Sequence, residues 1–237
     1  MEVFVLERRA GTRSTGKADE ILQVFTRNVA QFGYDGTNFS EIARELSISK
    51  GTIVHHYGTK DRLLAALHES YMRRRLSEAS SILERLDSPA EQLAALLYTF
   101  VLYQEYDRDA TVAFQRETMR LQGLEADVDG VPLRAEYLDL VRGTIKRGIA
   151  IGQFRDVDVR LQSLLIFGSA QWTYTWFDPQ REVNAVSVGA ELVDLVLAGL
   201  LVDRDSLGAL RDPKGSVAHT AIQCLDDHQA AATNLIA

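Results

Sequence analysis

The sequence predicts an all-α fold, and three observations carry that expectation. Only four prolines occur in 237 residues, Pro89, Pro132, Pro179 and Pro213, so long stretches are free of helix breakers. Apolar residues recur at three- and four-residue spacing rather than in alternation, the pattern of a helix that buries one stripe. Residues suited to capping stand where those stripes begin and end. No internal repeat, low-complexity tract or flexible linker divides the chain.

Each element follows from the letters. Ile21, Leu22, Phe25, Val29 and Phe32 keep helical spacing, and Gly33 stands where a C-terminal cap is expected. Asn38 lies three residues before Glu41, a capping box that opens a short helix through Leu46. Ser49 caps a second short helix from Lys50 to Tyr57, Gly58 breaks it, and Thr59 caps a long helix from Lys60 to about Leu86. In "SPAE", Ser88 is the expected cap, Pro89 fills the first helical position and Glu91 the third. Further helices are expected at about 89–106, 109–121, 132–151, 158–177 and 183–202, and the acidic "QGLEADVDG" reads as an exposed loop. After residue 203 two alternatives stand, one extra helix near 216–232 or partial disorder.

Composition narrows the class. A hydrophobic fraction of 46% supports a sizeable core, and the single cysteine, Cys224, excludes an intramolecular disulfide framework and a CxxC metal cluster. The opening "MEVFVLERRAGTR" sets charges on both sides of a very short apolar run, unlike a signal peptide. The longest uncharged run, Leu161 to Phe177, includes Gln162, Ser163, Gln171 and Thr173, so a buried helix explains it better than a membrane span. The expected address is a reducing cytoplasm with no membrane partner. No phosphate-cradling glycine loop, HExxH or GxSxG occurs, so no enzyme, cofactor or metal is expected. Cys224 and His228 lie one helical turn apart beside Asp226 and Asp227, but without further ligands nearby an incidental pairing is the expectation.

Charge is unevenly spread. Residues 1–75 hold 12 Lys/Arg against 9 Asp/Glu, whereas residues 76–237 hold 14 against 24, within a net charge of −7. A basic first third on an acidic body suits a polyanion-binding module. The two short helices joined by "LSIS" have the arrangement of a helix-turn-helix, whose second helix enters the DNA major groove. Ile42, Leu46, Ile48, Ile53 and Tyr57 form its expected apolar seam, leaving Lys50, Gly51, Thr52, Val54, His55 and His56 outside. Gly51 lets backbone approach a base edge, and Thr52 offers a hydroxyl and a methyl. Lys60 stands at a helix N-terminus, where free N–H groups already favour phosphate. Arg8, Arg9, Arg13 and Lys17 form either an arm for the minor groove or a solvated terminus.

The stretch "GYDGTNFSEIARELSISKGTIVHHYGTKDRLLAAL" resembles the N-terminal domain of the TetR family of transcriptional regulators, with the match running over roughly residues 17–67. The resemblance implies a homodimeric repressor of a palindromic operator, released when a small molecule enters its C-terminal helical domain. It implies that Lys50 and Gly51 approach bases, that His55, His56 and Lys60 hold phosphates, and that Ser40, Ser49 and Thr52 add contacts. Val54 departs from the tyrosine usual in the family, which removes one backbone contact. Ser47 replaces the usual turn glycine, and a left-handed serine costs about 1 kcal/mol.

The expected organisation is an arm (1–16), a DNA-binding domain (17–62), a ligand-binding and dimerisation domain (63–203) and an extension (204–237). The apolar segments 158–177 and 183–202 are the expected pairing surfaces, with Leu192 and Val196 at the contact and Gly168 and Gly199 allowing close approach. The expected ligand wall comprises Phe100, Tyr103, Phe114, Arg116, Met119, Trp172 and Trp176, with Arg116 or Arg120 meeting an acidic or carbonyl end. The segment "GQFRDVDVRLQSLLIFGSAQWTYTWFDP" is similar to actinobacterial TetR regulators of lipid and steroid catabolism, several of which respond to acyl-CoA thioesters. An acyl-CoA or related apolar effector is therefore expected. The alternatives are a hydrophobic drug as effector, or a helix-turn-helix used as a protein-interaction module.

Overall fold

A computed structural model describes residues 16–121, 123–125, 129–180 and 183–234. Arg8, Arg9, Arg13 and part of the acidic loop lie outside the described residues. In order, the helices are α1 (Lys17–Gly36), α2 (Phe39–Glu45), α3 (Lys50–Tyr57), α4 (Lys60–Arg85), α5 (Pro89–Tyr106), α6 (Arg108–Leu121), α7 (Gly130–Ala150), α8 (Val159–Gln171), α9 (Ala185–Leu200), α10 (Leu207–Leu210) and α11 (Ser216–Asn234). The fold is all-α, and no strand occurs among the described residues.

Capping explains most of the boundaries. The Asn38 side chain accepts from Ser40 N and Glu41 N, Ser49 accepts from Thr52 N, and Thr59 accepts from Arg62 N. Ser88 differs from expectation, because its side chain caps nothing. Gln153 takes that role, accepting from Ala90 N at 3.0 Å while donating to Ser88 Oγ at 2.8 Å. Gly33 adopts φ 76° inside the span of α1, and Thr37 Oγ1 donates to its carbonyl at 2.9 Å, so the helix kinks there before one last turn. The stretch expected as one helix over 158–177 breaks after Gln171 into a 3₁₀ turn, Trp172–Thr175. Thr173 and Thr175 hydroxyls donate to the carbonyls three residues back, which tightens that turn.

Two cores share one continuous interior. α1, α2, α3 and the start of α4 close around Phe25, Ile42, Ile53 and Leu63, all fully buried. Tyr57 OH ties α3 to α1 by donating to Ala18 O at 2.8 Å. Ser47 sits at φ 52°, the left-handed turn that its position requires, and Ile48 N closes the turn on Ala43 O at 2.9 Å. In the larger unit α5 is the pillar, buried from Pro89 to Gln104 except at Glu91, with α9, α11, α7 and α4 around it. α11 lies over α5 and α4, burying Val217, Ala218, Ala221, Cys224 and Leu225. Its polar edge is tied down as well: Tyr106 OH donates to Asp226 at 2.8 Å, and Ser77 Oγ lies 3.1 Å from His228 Nε2. Residues 216–234 are thus helical. His228 Nδ1 bonds the Cys224 carbonyl rather than the thiol, whose pKa is raised by burial.

Among the described residues, nothing covers an apolar face of α8 and α9. Leu161, Leu165, Trp172 and Leu195 are each more than half exposed, and Gly168 and Gly199 open onto free space. Leu192 and Val196, expected on that face, instead turn inward and are buried within the protomer.

One packing constraint is tested directly. A Cβ at Gly148 of α7 would run into the Phe154 ring, which is itself buried. Gly148→Ala should therefore lower stability by about 1–3 kcal/mol despite the better helix propensity of alanine. Urea unfolding should show an earlier midpoint with an unchanged slope; a wild-type midpoint would contradict the packing.

Candidate functional site

The first site is the outer face of α2 and α3. Lys50, Gly51, His55 and His56 are exposed, as is Ser40 at the start of α2. Val54 is 49% exposed between them, an apolar side chain on an otherwise polar surface. Ser49 Oγ is committed to its own helix, accepting from Thr52 N at 3.0 Å and lying 2.9 Å from Thr52 Oγ1. A Cβ on Gly51 would meet only Ser49 Oγ, so the glycine leaves the helix bare toward solvent. The His55 and His56 rings meet edge to face, their centroids 5.4 Å apart and their planes at 68°. Lys60 lies at the α4 N-terminus with Nζ 4.1 Å from the Tyr34 ring centroid, and burial lowers its pKa below the ordinary lysine value.

The second site is a cavity of about 460 Å³ enclosed by α4, α5, α6, α7 and α8. Its floor is buried: Tyr71, Met72 and Arg75 from α4, Tyr103 from α5, Phe114 from α6 and Tyr137 from α7. Its mouth is open, with Val131, Ala135, Leu164 and Gly168 exposed. Aromatic rings fix the walls, Tyr71 stacking on Phe114 at 4.5 Å and Phe100 tilting against Phe167 at 5.3 Å. Arg75 is the unusual floor residue, 3% exposed, paired with Glu78 at 3.0 Å and Asp107 at 3.2 Å. Burial raises the pKa of Glu78 above the usual carboxylate value, with Arg75 opposing it.

The expected ligand wall divides along this boundary. Phe100, Tyr103 and Phe114 line the cavity. Arg116, Met119, Trp172 and Trp176 do not line it, because Phe114, Gln115 and Thr118 occupy the cavity side of α6 and the two tryptophans turn outward. Arg75, Arg134 and Tyr137 escaped the sequence reading. Arg75 had left a trace there, as a charge inside the buried stripe Met72, Arg75, Leu76 and Ala79 of α4.

Arg116 and Arg120 have a different task. The opposite face of α6 grips the end of α1. Arg116 Nη1 donates to the carbonyls of Ala30 and Gln31 at 3.1 and 3.4 Å, reaching across the bare Cα of Gly33. Glu117 Oε1 accepts from Tyr34 N at 2.9 Å, and Arg120 pairs with Asp35 at 2.8 Å. Arg120 also stands 4.4 Å from the centroid of the Tyr34 ring, the ring that carries Lys60, while Tyr34 OH donates to Asp61. Burial and Asp61 push the pKa of Tyr34 up, so it remains a neutral donor. One helix thus joins the cavity wall to the base of the exposed α2–α3 face.

Comparison with known proteins agrees with this division. The model for bacterial regulatory proteins of the tetR family matches residues 21–67, and that for the tetracyclin repressor-like C-terminal domain matches residues 86–200. The chain is 26% identical to the HTH-type transcriptional repressor KstR2 of Mycolicibacterium smegmatis over 80% of its own length and 93% of that protein's. The ketosteroid transcriptional regulator KstR2 of Mycobacterium tuberculosis superposes with a TM-score of 0.71 at 22% identity, over 82% of this chain and all of that one. FadR of Bacillus subtilis, solved in complex with stearoyl-CoA, gives a TM-score of 0.67 at 24% identity, over 77% of this chain and 99% of that one. With a helix-turn-helix in α2–α3 and a helical C-terminal unit behind it, the chain belongs to the TetR family of transcriptional regulators.

Proposed function

We propose that the protein is a repressor that binds a palindromic operator as a homodimer and is released by a small, largely apolar effector. The two-faced helix α6 carries this reading: one face lines the cavity and the other holds α1. Lys50 and Gly51 approach base edges, with Val54 offering its methyls to thymine. His55, His56 and Lys60 hold phosphates, and Ser40 and Thr52 add contacts at the rim. The exposed apolar face of α8 and α9 supports pairing of two copies, since charged residues are sparse there and Gly168 and Gly199 permit close approach. A two-fold dimer presents two reading helices to successive major grooves, about 34–36 Å apart or a multiple of that distance.

Release follows from geometry. A ligand that pushes Phe114, Gln115 and Thr118 shifts α6, and Arg116, Glu117 and Arg120 carry the shift to α1 and Tyr34. A coupling of about 1–3 kcal/mol lowers operator affinity about 5–150-fold. The aromatic cavity supports an apolar effector, and the stearoyl-CoA bound by FadR supports an acyl-CoA thioester over a hydrophobic cation. The decisive experiment selects bound DNA from a random pool and then challenges the complex with acyl-CoA esters, free acids and lipophilic cations. Recovery of a symmetric site released by the esters fits the proposal; no selected sequence, or release by cations alone, contradicts it.

Two variants probe the parts. Lys60→Ala should weaken binding to all DNA sequences alike and reduce the salt slope by about one counterion, measured by titration at several ionic strengths. An unchanged slope removes the phosphate contact. Arg116→Ala combined with Glu117→Gln should retain operator selection but lose most of the effector-induced release. A full response in that variant would show that coupling runs elsewhere.

A further inference from the structure

We infer that the effector carries a hydrogen-bond-accepting oxygen at the end that enters the cavity first, and that Arg75 receives it. The inference rests on the ligand-released function above. Arg75 is fixed and buried: its Nε and Nη2 face Glu78 at 3.0 and 3.1 Å, and Nη2 also meets Asp107 at 3.2 Å. Its guanidinium stands against the rings of Tyr103 and Tyr71, 3.8 and 4.9 Å from their centroids. Among the described residues the Tyr103 and Tyr137 hydroxyls on the floor lack a hydrogen-bond partner, Arg75 Nε has only its ion pair with Glu78, and Nη1 of this floor-lining side chain has no hydrogen-bond partner. A guanidinium keeps its proton at any physiological pH, so this donor persists. An alkyl chain end seated on it would leave a charged donor unsatisfied, whereas an oxygen acceptor would satisfy it.

The charges around the floor point the same way. Asp107 is shared between Arg75 and Arg74, the latter at 2.6 Å, and Glu78 is the remaining carboxylate beside Arg75. Arg134 adds another cation toward the mouth, half-buried and with its Nη1 also unpartnered. Cationic donors therefore stand at both ends of an aromatic-walled space whose other buried polar groups on the floor are the neutral hydroxyls of Tyr103 and Tyr137. That pattern fits an apolar body bearing oxygen at both ends: an acyl group at the mouth, and a hydroxyl, keto or carboxyl group at the far end. It disfavours a plain saturated acyl chain, which offers oxygen at one end alone.

The test uses three probes: dodecanoyl-CoA, 12-hydroxydodecanoyl-CoA and the mono-CoA ester of dodecanedioic acid. The bulky, charged nucleotide keeps each thioester at the mouth, so the far end of the chain meets Arg75. Calorimetric titration of the full chain should give at least about tenfold tighter binding for one or both oxygenated esters than for dodecanoyl-CoA. Arg75→Met alone leaves Glu78 buried without its partner and risks unfolding, so the companion variant is Arg75→Met with Glu78→Leu. It should bind dodecanoyl-CoA and lose the preference. Equal or tighter binding of dodecanoyl-CoA by the wild-type protein overturns the inference while leaving the ligand-released function intact. Binding of none of the three removes the acyl effector and the inference with it.

Discussion

The coupling proposed above depends on the packing of α6 between two neighbours that it must satisfy at once. Toward α1 it places Arg116, Glu117 and Arg120, whose hydrogen bonds and ion pair meet backbone and side-chain groups around Gly33 to Asp35. Toward the cavity it places Phe114, Gln115 and Thr118. A rigid helix cannot move on one face alone, so in the proposed switch a ligand that fills the cavity is felt at the base of the α2–α3 face. The kink at Gly33 makes this possible: its left-handed backbone turns the end of α1, and the missing side chain admits the Arg116 guanidinium.

Behind α6 the rest of the larger unit forms a stiff frame. α5 is enclosed on nearly all sides, Gly189 lets α9 lie against Tyr98, and α11 closes the remaining flank over α4 and α5. Close-packed interiors transmit displacement rather than absorb it. Most of the cavity floor comes from α4 and α5, which this frame anchors, with Phe114 of α6 and Tyr137 of α7 completing it, while the mouth is formed by exposed side chains of α7 and α8. α11 runs past the end of the matched C-terminal family domain at residue 200, so part of the anchoring comes from a segment outside that domain.

Much of the fold was legible because caps and helical periodicity are local. Asn38, Ser49 and Thr59 cap as their types require, and Ser47 adopts the left-handed turn that its position demands. The misreadings come from long-range choices. Ser88 gives up its cap because Gln153, distant in sequence, satisfies the same amide. The break after Gln171 depends on threonine hydroxyls competing for nearby carbonyls, which apolar periodicity does not register. Of the residues expected in the ligand wall, Phe100, Tyr103 and Phe114 line the cavity. Arg116 and Met119 share α6 with cavity residues yet face away, Trp172 and Trp176 follow the last cavity residue of α8 and turn outward, and Arg75 resembles an ordinary charge on a long helix. Which side of an amphipathic helix meets a cavity is decided by its partners.

The proposed switch is mechanical: filling the cavity moves the two reading helices. Spin labels at Glu41→Cys measure this directly, since Glu41 is exposed on α2 and the single native cysteine, Cys224, is buried. Pulsed electron paramagnetic resonance gives the label-to-label distance across the proposed dimer with and without the effector that releases the selected operator. Effector binding should shift the distance distribution. An unchanged distribution under conditions that release the DNA would contradict the proposed switch.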